Sequence, residues 1–255
     1  NTPGGIDVLR MSIDFDGSLW TSFGNFYVGK LMPNGNWLNY NSAISGIQIP
    51  SNRFTNIAFL ADSQGHKWFS SLSSPVGTLR PLDELVDQND ASYANNAWVS
   101  HALGSGGGDT YGSLRPVRAA EDPTGNRWFM SDDFGQAQGW WGFNILSRDG
   151  SAWFQMNPAK EARMVSGNVI DVAFTSGATY VAFLHDGVYQ WLQGGFDWPS
   201  LTSYIGDSWV GFVGKSELPA SADITRIALR SDGLVLQKVR NDAGLINDFT
   251  LRQLE

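Results

Sequence analysis

The sequence predicts an all-β protein, a β-propeller of four-stranded antiparallel blades with five repeats in the chain. A turn ending in glycine recurs at positions 17, 65, 125, 177 and 233, with spacings of 48, 60, 52 and 56 residues, close to the length of one four-stranded blade. Short runs of β-branched and aromatic residues alternate with Gly, Ser, Asn and Asp, a pattern typical of strands joined by tight turns. Apolar residues make up 42% of the 255 residues and charged residues 16%, so the chain can bury a core.

The first element of each repeat is an acidic turn between two strands. In its clearest copies Asp stands three residues before Gly, and Trp stands three residues after it. These copies are Asp14 to Trp20, Asp62 to Trp68 and Asp122 to Trp128. We expect the Asp side chain to accept hydrogen bonds from backbone N–H groups, Gly to supply the positive φ of the turn, and Trp to pack between neighbouring blades. Weaker copies occur at 174–180, where Tyr180 holds the Trp place, and at 229–235, which lacks the aromatic residue.

Apolar segments around these turns predict the other strands. Short strands are expected immediately before the turns, at 8–13, 57–60, 117–120, 169–174 and 224–229. Asn-Gly and Asp-Gly between apolar runs predict a hairpin in the later half of the blades, at 29–40 and 143–154, with a shorter relative at 184–191 and a last outer strand at 249–254. The repeats are therefore placed at 6–52, 53–113, 114–166, 167–222 and 223–255. Together they form one propeller domain over 1–255, either a five-bladed ring or part of a longer propeller.

Composition excludes several classes of function. The net charge is −8 and the 17 Lys and Arg residues form no basic cluster, so nucleic acid is not expected as a partner. Without cysteine the chain has no disulfide, thiolate metal ligand or cysteine nucleophile. No apolar run reaches the roughly 18 residues of a membrane span, and residues 1–6 do not resemble a signal peptide. Because the chain starts with Asn, we expect a mature or excised piece.

The repeated turn, residues 14–20 in its first copy, resembles the two-component regulator propeller repeat, in which an Asp-x-x-Gly-x-Leu-Trp turn leads to a Gly-rich strand and an aromatic outer strand. The match is close in the first three repeats and covers the whole chain loosely. Such repeats occur in periplasmic sensor halves of bacterial hybrid two-component systems and in a surface-sorting protein of type IX secretion. The resemblance implies an exported, ligand-recognising propeller, periplasmic or extracellular. Members often close with seven blades, whereas this chain supplies five, and no kinase segment is present to predict signalling.

Two segments are candidate ligand loops, because propeller ligands bind where loops of several blades meet. Residues 131–142 join paired carboxylates, Asp132 and Asp133, to paired tryptophans, Trp140 and Trp141. Aromatic rings cover the apolar faces of a sugar and carboxylates accept its hydroxyl hydrogens, so these four residues are the predicted ligand-binding site. The alternative is a solvated loop with one Trp packed into a blade interface. The Gly-rich segment 101–114 lacks the Gly-Lys-Ser/Thr ending of a phosphate loop and is expected to be a flexible loop.

No catalytic residue and no cofactor is predicted. A calcium site at Asp14 and Asp16 is an alternative to a plain turn, although the distal Glu of a calcium loop is missing. His66, His101 and His185 show no close metal spacing. Convergence of the histidines at the propeller axis is an alternative, but we expect each to be singly exposed. The predicted function is recognition of a carbohydrate or of a surface or secretion protein. The alternatives are a protein-interaction scaffold and a polysaccharide-acting lyase or glycoside hydrolase with a site at the propeller axis.

Overall fold

The computed structural model of the chain describes residues 8–23, 27–40, 59–70, 82–86, 96–101, 116–131, 142–158, 164, 166–175, 179–183, 186–192, 208–214, 223–229, 234–240 and 246–253. These residues form strands, turns and bends, and none of them lies in a helix that could cross a membrane. The prediction of an all-β fold is confirmed. The chain divides into two compact units, Asn1–Glu121 and Asp122–Glu255, and each is described by itself.

The described strands form five antiparallel sheets, four with four strands and one with three, each built from consecutive strands. Sheet 1 contains β1 (Val8–Ile13), β2 (Leu19–Phe23), β3 (Tyr27–Leu31) and β4 (Trp37–Tyr40), and sheet 2 contains β5 (Phe59–Ala61), β6 (His66–Ser70), β7 (Leu82–Val86) and β8 (Ala97–His101). Sheet 3 contains β9 (Pro116–Glu121), β10 (Arg127–Ser131), β11 (Gly142–Leu146) and β12 (Trp153–Met156). Sheet 4 contains β13 (Val169–Phe174), β14 (Thr179–Phe183), β15 (Gly187–Leu192) and β16 (Ser208–Gly214), and sheet 5 contains β17 (Asp223–Leu229), β18 (Leu234–Arg240) and β19 (Ile246–Gln253).

The acidic turns take the predicted conformation. In the first copy the backbone N–H of Asp14 donates to the carbonyl of Ser18 at 2.9 Å, and the N–H of Gly17 donates to the carbonyl of Asp14 at 3.0 Å. The second and third copies repeat both bonds at 2.9 to 3.1 Å. The glycines of the three copies have φ of 80°, 87° and 91°, a region that residues with a Cβ rarely adopt. The backbone of the turn therefore requires glycine at this position.

The register places the motif aromatic residue at one position in successive hairpins. Trp20 pairs with Ser12, Trp68 with Leu60 and Tyr180 with Ala173, each one residue inside the end of the preceding strand. The prediction that Tyr180 holds the Trp place is therefore confirmed. In the fifth copy Leu236 occupies this position, opposite Ala228.

Two of the later hairpins are confirmed and one prediction is wrong. Residues 29–40 form the hairpin of β3 and β4, and residues 143–154 lie in the hairpin of β11 and β12. Within the segment 184–191, taken as a shorter relative, residues 187–191 lie in β15, which pairs with β14 from Phe183 opposite Gly187, so the hairpin joins the second and third strands of sheet 4. Asp-Gly between apolar runs predicts a hairpin, but the local sequence does not tell which two strands of a sheet the turn joins.

The core of the first unit lies between sheets 1 and 2. Its buried cluster contains Trp20, Val28 and Tyr40 from sheet 1 and Phe59, Phe69 and Leu85 from sheet 2. The rings of Trp20 and Tyr40 are 5.3 Å apart, and the Tyr40 hydroxyl accepts a hydrogen bond from Asn96 Nδ2 at 3.1 Å. Complete burial of a tryptophan contributes up to about 4–6 kcal/mol. The prediction that the motif Trp packs between neighbouring sheets is confirmed for Trp20.

The core of the second unit is aromatic. Trp128 of sheet 3 is fully buried, and its ring centroid lies 5.0 Å from that of Phe143 in the same sheet. Two rings of sheet 4 meet it edge-on, Phe174 at 5.1 Å and Trp191 at 5.6 Å. Edge-to-face pairs of this kind add about 0.5–1.5 kcal/mol each beyond area burial. Trp128 therefore joins sheets 3 and 4 in the way predicted for the motif tryptophan.

Candidate functional site

The ligand site predicted from the sequence, Asp132, Asp133, Trp140 and Trp141, lies outside the described residues. β10 ends at Ser131 and β11 begins at Gly142, so the segment connects two neighbouring strands of sheet 3. The Gly-rich segment that follows His101 and the third histidine, His185, also lie outside the described residues. These assignments stay predictions.

In the described acidic turns, the carboxylate of each motif aspartate accepts two kinds of hydrogen bond. One oxygen accepts from the turn backbone, as Asp62 Oδ1 does from the N–H of Gln64 at 3.0 Å and of His66 at 2.8 Å. The other oxygen accepts from the indole N–H of the motif tryptophan. This second bond measures 3.1 Å from Trp20 to Asp14, 2.9 Å from Trp68 to Asp62 and 3.0 Å from Trp128 to Asp122. We call this arrangement the Asp–Trp clip.

The backbone half of the Asp–Trp clip was predicted, and the indole half was missed. The signal was present, because Asp and Trp are six residues apart in all three copies, and a buried indole N–H needs an acceptor. In the clip the carboxylate satisfies the indole and the turn together. The motif aspartates are therefore structural residues.

Sheets 1 and 2 share a buried network of charges around Trp20. Lys67 of β6 has a fully buried side chain, and its Nζ lies 2.6 Å from Asp14 Oδ2 and 5.4 Å from the centroid of the Trp20 ring. Lys30 of β3 is also buried, with its Nζ 5.3 Å from the same centroid and 3.6 Å from Asp16 Oδ2. Burial works against the charge of Asp16, but hydrogen bonds from Ser18 and the charge of Lys30 lower the pKa of its carboxyl. Two carboxylates and two ammonium groups thus balance within this interface.

The carboxylate oxygens of Asp14 and Asp16, which would bind calcium in the alternative interpretation of the first turn, already contact hydrogen-bond donors of the protein. Asp14 accepts from the Trp20 indole, the Phe15 N–H and Lys67, and Asp16 accepts from the Ser18 N–H at 2.8 Å. Among the described residues no group of three or more His, Asp or Glu side chains is placed to hold a metal ion.

Among the described residues, the best candidate for a functional site is a cluster of three titratable side chains, His66, Glu84 and His101, which we call the His–Glu–His cluster. The three residues come from β6, β7 and β8, so sheet 2 brings them together across strands. His66 Nδ1 lies 2.5 Å from Glu84 Oε1, and His101 Nε2 lies 2.8 Å from Glu84 Oε2. Glu84 pairs in register with Trp68, whose ring is 5.1 Å from the His101 ring. The cluster therefore combines a carboxylate, two imidazoles and an indole.

The electrostatics of the cluster keep Glu84 ionised. Burial raises the pKa of Glu84, but hydrogen bonds from His101 and His66, and their positive charge, outweigh burial and lower it from 4.5 to about 2. The side chains of His66 and His101 are 31% and 23% exposed, whereas that of Glu84 is 11% exposed. Solvent thus reaches the imidazoles more than it reaches the carboxylate that contacts both of them. Such an arrangement can hydrogen-bond a polar ligand, and a carboxylate-held imidazole can also move a proton.

The expectation of singly exposed histidines is wrong for His66 and His101. Both lie in the predicted second repeat, 35 positions apart in the sequence, and the strand pairing carries them onto one face of sheet 2. The alternation of residues in 66–68, 82–86 and 97–101 could have predicted this contact. His66 and Trp68 share a face of β6, and Glu84 lies on the same face in β7. Spacing along the chain did not reveal it.

No protein-family model matches this sequence, and no curated protein matches it. Solved structures match the fold. The extracellular domain of a hybrid two-component system from B. thetaiotaomicron aligns with a TM-score of 0.63 at 10% identity, over 96% of this chain and 30% of that chain. PorZ, a surface component of the type IX secretion system of Porphyromonas gingivalis, aligns with a TM-score of 0.62 at 17% identity, over 96% of this chain and 32% of that chain. YCF48, in a structure with bound D1 peptide, aligns with a TM-score of 0.59 at 13% identity, over 100% of this chain and 66% of that chain.

At these identities the similarity is one of fold. This chain spans 30% and 32% of the first two structures, which come from the two groups of proteins that the sequence resemblance named. The suspected resemblance is thus matched among solved structures. The chain is an all-β protein of antiparallel sheets whose structural neighbours are of the β-propeller type.

Proposed function

We propose that this chain is a recognition propeller of an exported protein, which binds a carbohydrate or a protein partner and does not itself catalyse a reaction. The observation that carries the proposal is the division of roles within the repeat. The repeated Asp, Gly and Trp residues are engaged in the Asp–Trp clip, so repeat-specific positions supply the chemistry. Opposite the motif aromatic position, sheets 1 to 5 carry Lys30, Glu84, Ile145, Gln190 and Leu251. Lys30 and Ile145 are buried, whereas Glu84 of sheet 2 contacts the partly exposed imidazoles of His66 and His101, so in sheet 2 the varied position carries groups that a ligand could reach.

The propeller itself is part of the proposal. We assign one blade to each sheet, with the bounds 6–52, 53–113, 114–166, 167–222 and 223–255, in one domain. Support comes from the five sheets of consecutive strands and from neighbours that are extracellular or surface components. These neighbours also support a periplasmic or extracellular location.

Two surfaces are proposed for recognition. Asp132, Asp133, Trp140 and Trp141 form the carbohydrate candidate, because tryptophan rings and carboxylates suit a pyranose. The His–Glu–His cluster is the second, because its partly exposed imidazoles lie beside a carboxylate that stays ionised. The peptide bound to YCF48 supports a protein partner for a fold of this kind.

The proposal is tested by screening the purified chain against a glycan array and a displayed peptide library, with thermal shift as the confirming measurement. A ligand that binds the folded chain at 100 times its Kd stabilises it by about 2.7 kcal/mol. The variants are Trp140→Ala with Trp141→Ala, and Glu84→Gln. Phe15→Ala is the matched control, since it removes a ring that is 65% exposed elsewhere.

We expect a reproducible ligand whose binding one of the two site variants abolishes and the control retains. Retention of full affinity in both site variants would overturn the site assignment while leaving recognition standing. A folded chain that binds no glycan and no peptide would overturn recognition itself.

A polysaccharide-acting enzyme is the second candidate, and one observation favours it: Glu84 holds two imidazoles, as a carboxylate holds a histidine base in hydrolases. Incubation with polysaccharides, followed by assays for new reducing ends and for unsaturated products, distinguishes the two candidates. The recognition proposal expects no turnover. Turnover that His101→Ala removes would establish the enzyme instead.

A further inference from the structure

The register defines two positions that recur in each sheet besides that of the motif tryptophan. The first is the third-strand residue that pairs with the motif tryptophan. The second is the fourth-strand residue whose strand partner lies two positions before the first. In sheets 1, 2 and 3 the first position holds Lys30, Glu84 and Ile145, and the second holds Tyr40, His101 and Met156. The His–Glu–His cluster therefore occupies both positions in sheet 2.

In sheets 1 and 3 these two positions belong to the core. Each of the four residues there is at most 1% exposed, namely Lys30, Tyr40, Ile145 and Met156. In sheet 2 the same positions hold Glu84 and His101, whose facing atoms, Oε2 and Nε2, are 2.8 Å apart. Sheet 2 therefore carries a pair of titratable side chains in contact where sheet 3 carries an apolar pair.

His101 keeps the geometry of its position. Its ring centroid lies 5.1 Å from that of Trp68 with an interplanar angle of 32°, and the ring of Tyr40 lies 5.3 Å from that of Trp20 at the same angle. The backbone thus presents the side chain at this position to the motif tryptophan in both sheets. The imidazole is a choice of residue on a shared backbone geometry.

A titratable pair at these positions lowers stability relative to an apolar one. Burial of Glu84 opposes its charge. Replacing a complete buried ion pair by apolar residues of similar volume is often neutral or stabilising, whereas removing only one partner is destabilising. Residues that depart from the pattern of a fold at a cost in stability are typical of functional sites.

The charges of the cluster favour one class of ligand. The groups that lower the pKa of Glu84 are His101 and His66, and an imidazole is not a permanent cation. Because Glu84 is ionised and the chain carries a net charge of −8, an anionic ligand is disfavoured. Both Glu84 oxygens already contact an imidazole nitrogen, at 2.5 and 2.8 Å, so a cationic ligand would compete with the imidazoles for them. A neutral hydroxyl group, which both donates and accepts hydrogen bonds, suits the imidazoles.

We propose that the His–Glu–His cluster binds a neutral ligand rich in hydroxyl groups, an uncharged oligosaccharide, and that sheet 2 carries the cluster in place of a core pair at a cost in stability. This inference rests on the proposed function, because it takes the chain to be a recognition propeller. It adds the class of ligand and the reason why sheet 2 departs from sheets 1 and 3.

The first test is stability, which needs no ligand. A graft variant gives all three cluster positions the residues of sheet 3, as His66→Asn, Glu84→Ile and His101→Met. Asn126 is the residue of sheet 3 that corresponds to His66, two positions before the motif tryptophan. In urea unfolding at pH 7 the graft variant should have a midpoint no lower than that of the wild-type chain. The matched variant Glu84→Gln keeps both histidines and should have a lower midpoint. A graft midpoint below that of the wild type overturns the inference, because the cluster would then stabilise sheet 2.

The second test is binding to three sets of probes: neutral oligosaccharides, uronic-acid oligosaccharides and lysine-rich peptides. The wild-type chain should bind a neutral oligosaccharide, and the graft variant should bind it at least about 10-fold more weakly, because hydrogen bonds to the cluster are lost. Phe15→Ala should retain full affinity. A preference for uronates or peptides, or full affinity in the graft variant, overturns the ligand assignment. A folded chain that binds none of the probes overturns the proposed function and this assignment with it, whereas the urea midpoints test the cluster alone.

Discussion

Trp20 and Trp128 share the Asp–Trp clip, but only Trp20 has charged side chains beside its ring among the described contacts. Trp20 has two ammonium groups beside its ring, Lys30 and Lys67 at 5.3 and 5.4 Å from the centroid, together with the Tyr40 ring at 5.3 Å. Trp128 has three aromatic rings within 5.6 Å. The clip is thus independent of what covers the indole, because its carboxylate, turn and ring all come from one short segment. The same local frame supports an ionic contact between sheets in one unit and an aromatic contact in the other.

The two contacts differ in what they contribute. An aromatic cluster buries apolar area and contributes directly to stability. A buried ion pair roughly offsets its own desolvation, and removing one partner costs several kcal/mol because the other charge stays behind. We infer that Lys67 and Asp14 act chiefly to select which sheet packs on sheet 1, whereas Trp128 chiefly stabilises its unit.

The largest effect is expected from the tryptophans themselves. Trp128→Ala should lower the free energy of unfolding by about 3–5 kcal/mol and leave a mainly apolar cavity lined by Phe143, Phe174 and Trp191, with the Asp122 carboxylate at its edge. Such a cavity binds benzene. Trp20→Ala should leave a cavity beside Lys30, Lys67 and Asp14, which water fills. Urea unfolding measures the loss, and thermal shift with benzene should stabilise only the first variant. Stabilisation of both variants would show that the surroundings do not differ as described.

The next largest effect is a difference in stability loss between the Asp–Trp clips of Asp14 and Asp122, which differ in whether the carboxylate has a charged partner. Asp14→Asn should cost about 2–4 kcal/mol, since it leaves the buried Lys67 without its carboxylate. Asp122→Asn should cost only about 1 kcal/mol, because all the described partners of Asp122 are neutral N–H and O–H donors. Chemical denaturation of both variants checks this. Adding Lys67→Met to Asp14→Asn should recover part of the loss, and equal losses in the two single variants would contradict the distinction.

A further effect, smaller than that of Trp128 or Asp14, concerns Glu84, which occupies in sheet 2 the position that Ile145 occupies in sheet 3. Its pKa is about 2 in the folded chain against 4.5 ordinarily, so its contribution is complete above pH 4.5 and is lost as the pH falls toward 2. Allowing for solvent screening, we expect about 2 kcal/mol. The measurement is the difference in unfolding free energy between the chain and Glu84→Gln from pH 6 to pH 2. A difference that does not shrink with acid would show that the two imidazoles do not hold the carboxylate.

Sequence reasoning was most accurate where the determinants are contiguous. Asp14, Gly17 and Trp20 lie within seven residues, and turn chemistry together with strand alternation predicted their conformation and pairing. The prediction for 184–191 was wrong, because an Asp-Gly hairpin signal does not show which two strands of the sheet the turn joins. The prediction of singly exposed histidines was wrong for His66 and His101, because both contact Glu84, which lies on the strand between them. The predicted loop site, 132 to 141, stays a prediction.

The sequence by itself determined the repeat, the glycines with positive φ, and the faces on which alternating residues lie, because each of these depends on the backbone preferences of a few neighbouring residues. Only the tertiary structure decided that Lys67 reaches Asp14 in another sheet and that two histidines share one carboxylate. These outcomes depend on how sheets pack and on which residues, tens of positions apart, come into contact. Packing of that kind is a property of the assembled sheets, and no local pattern encodes it.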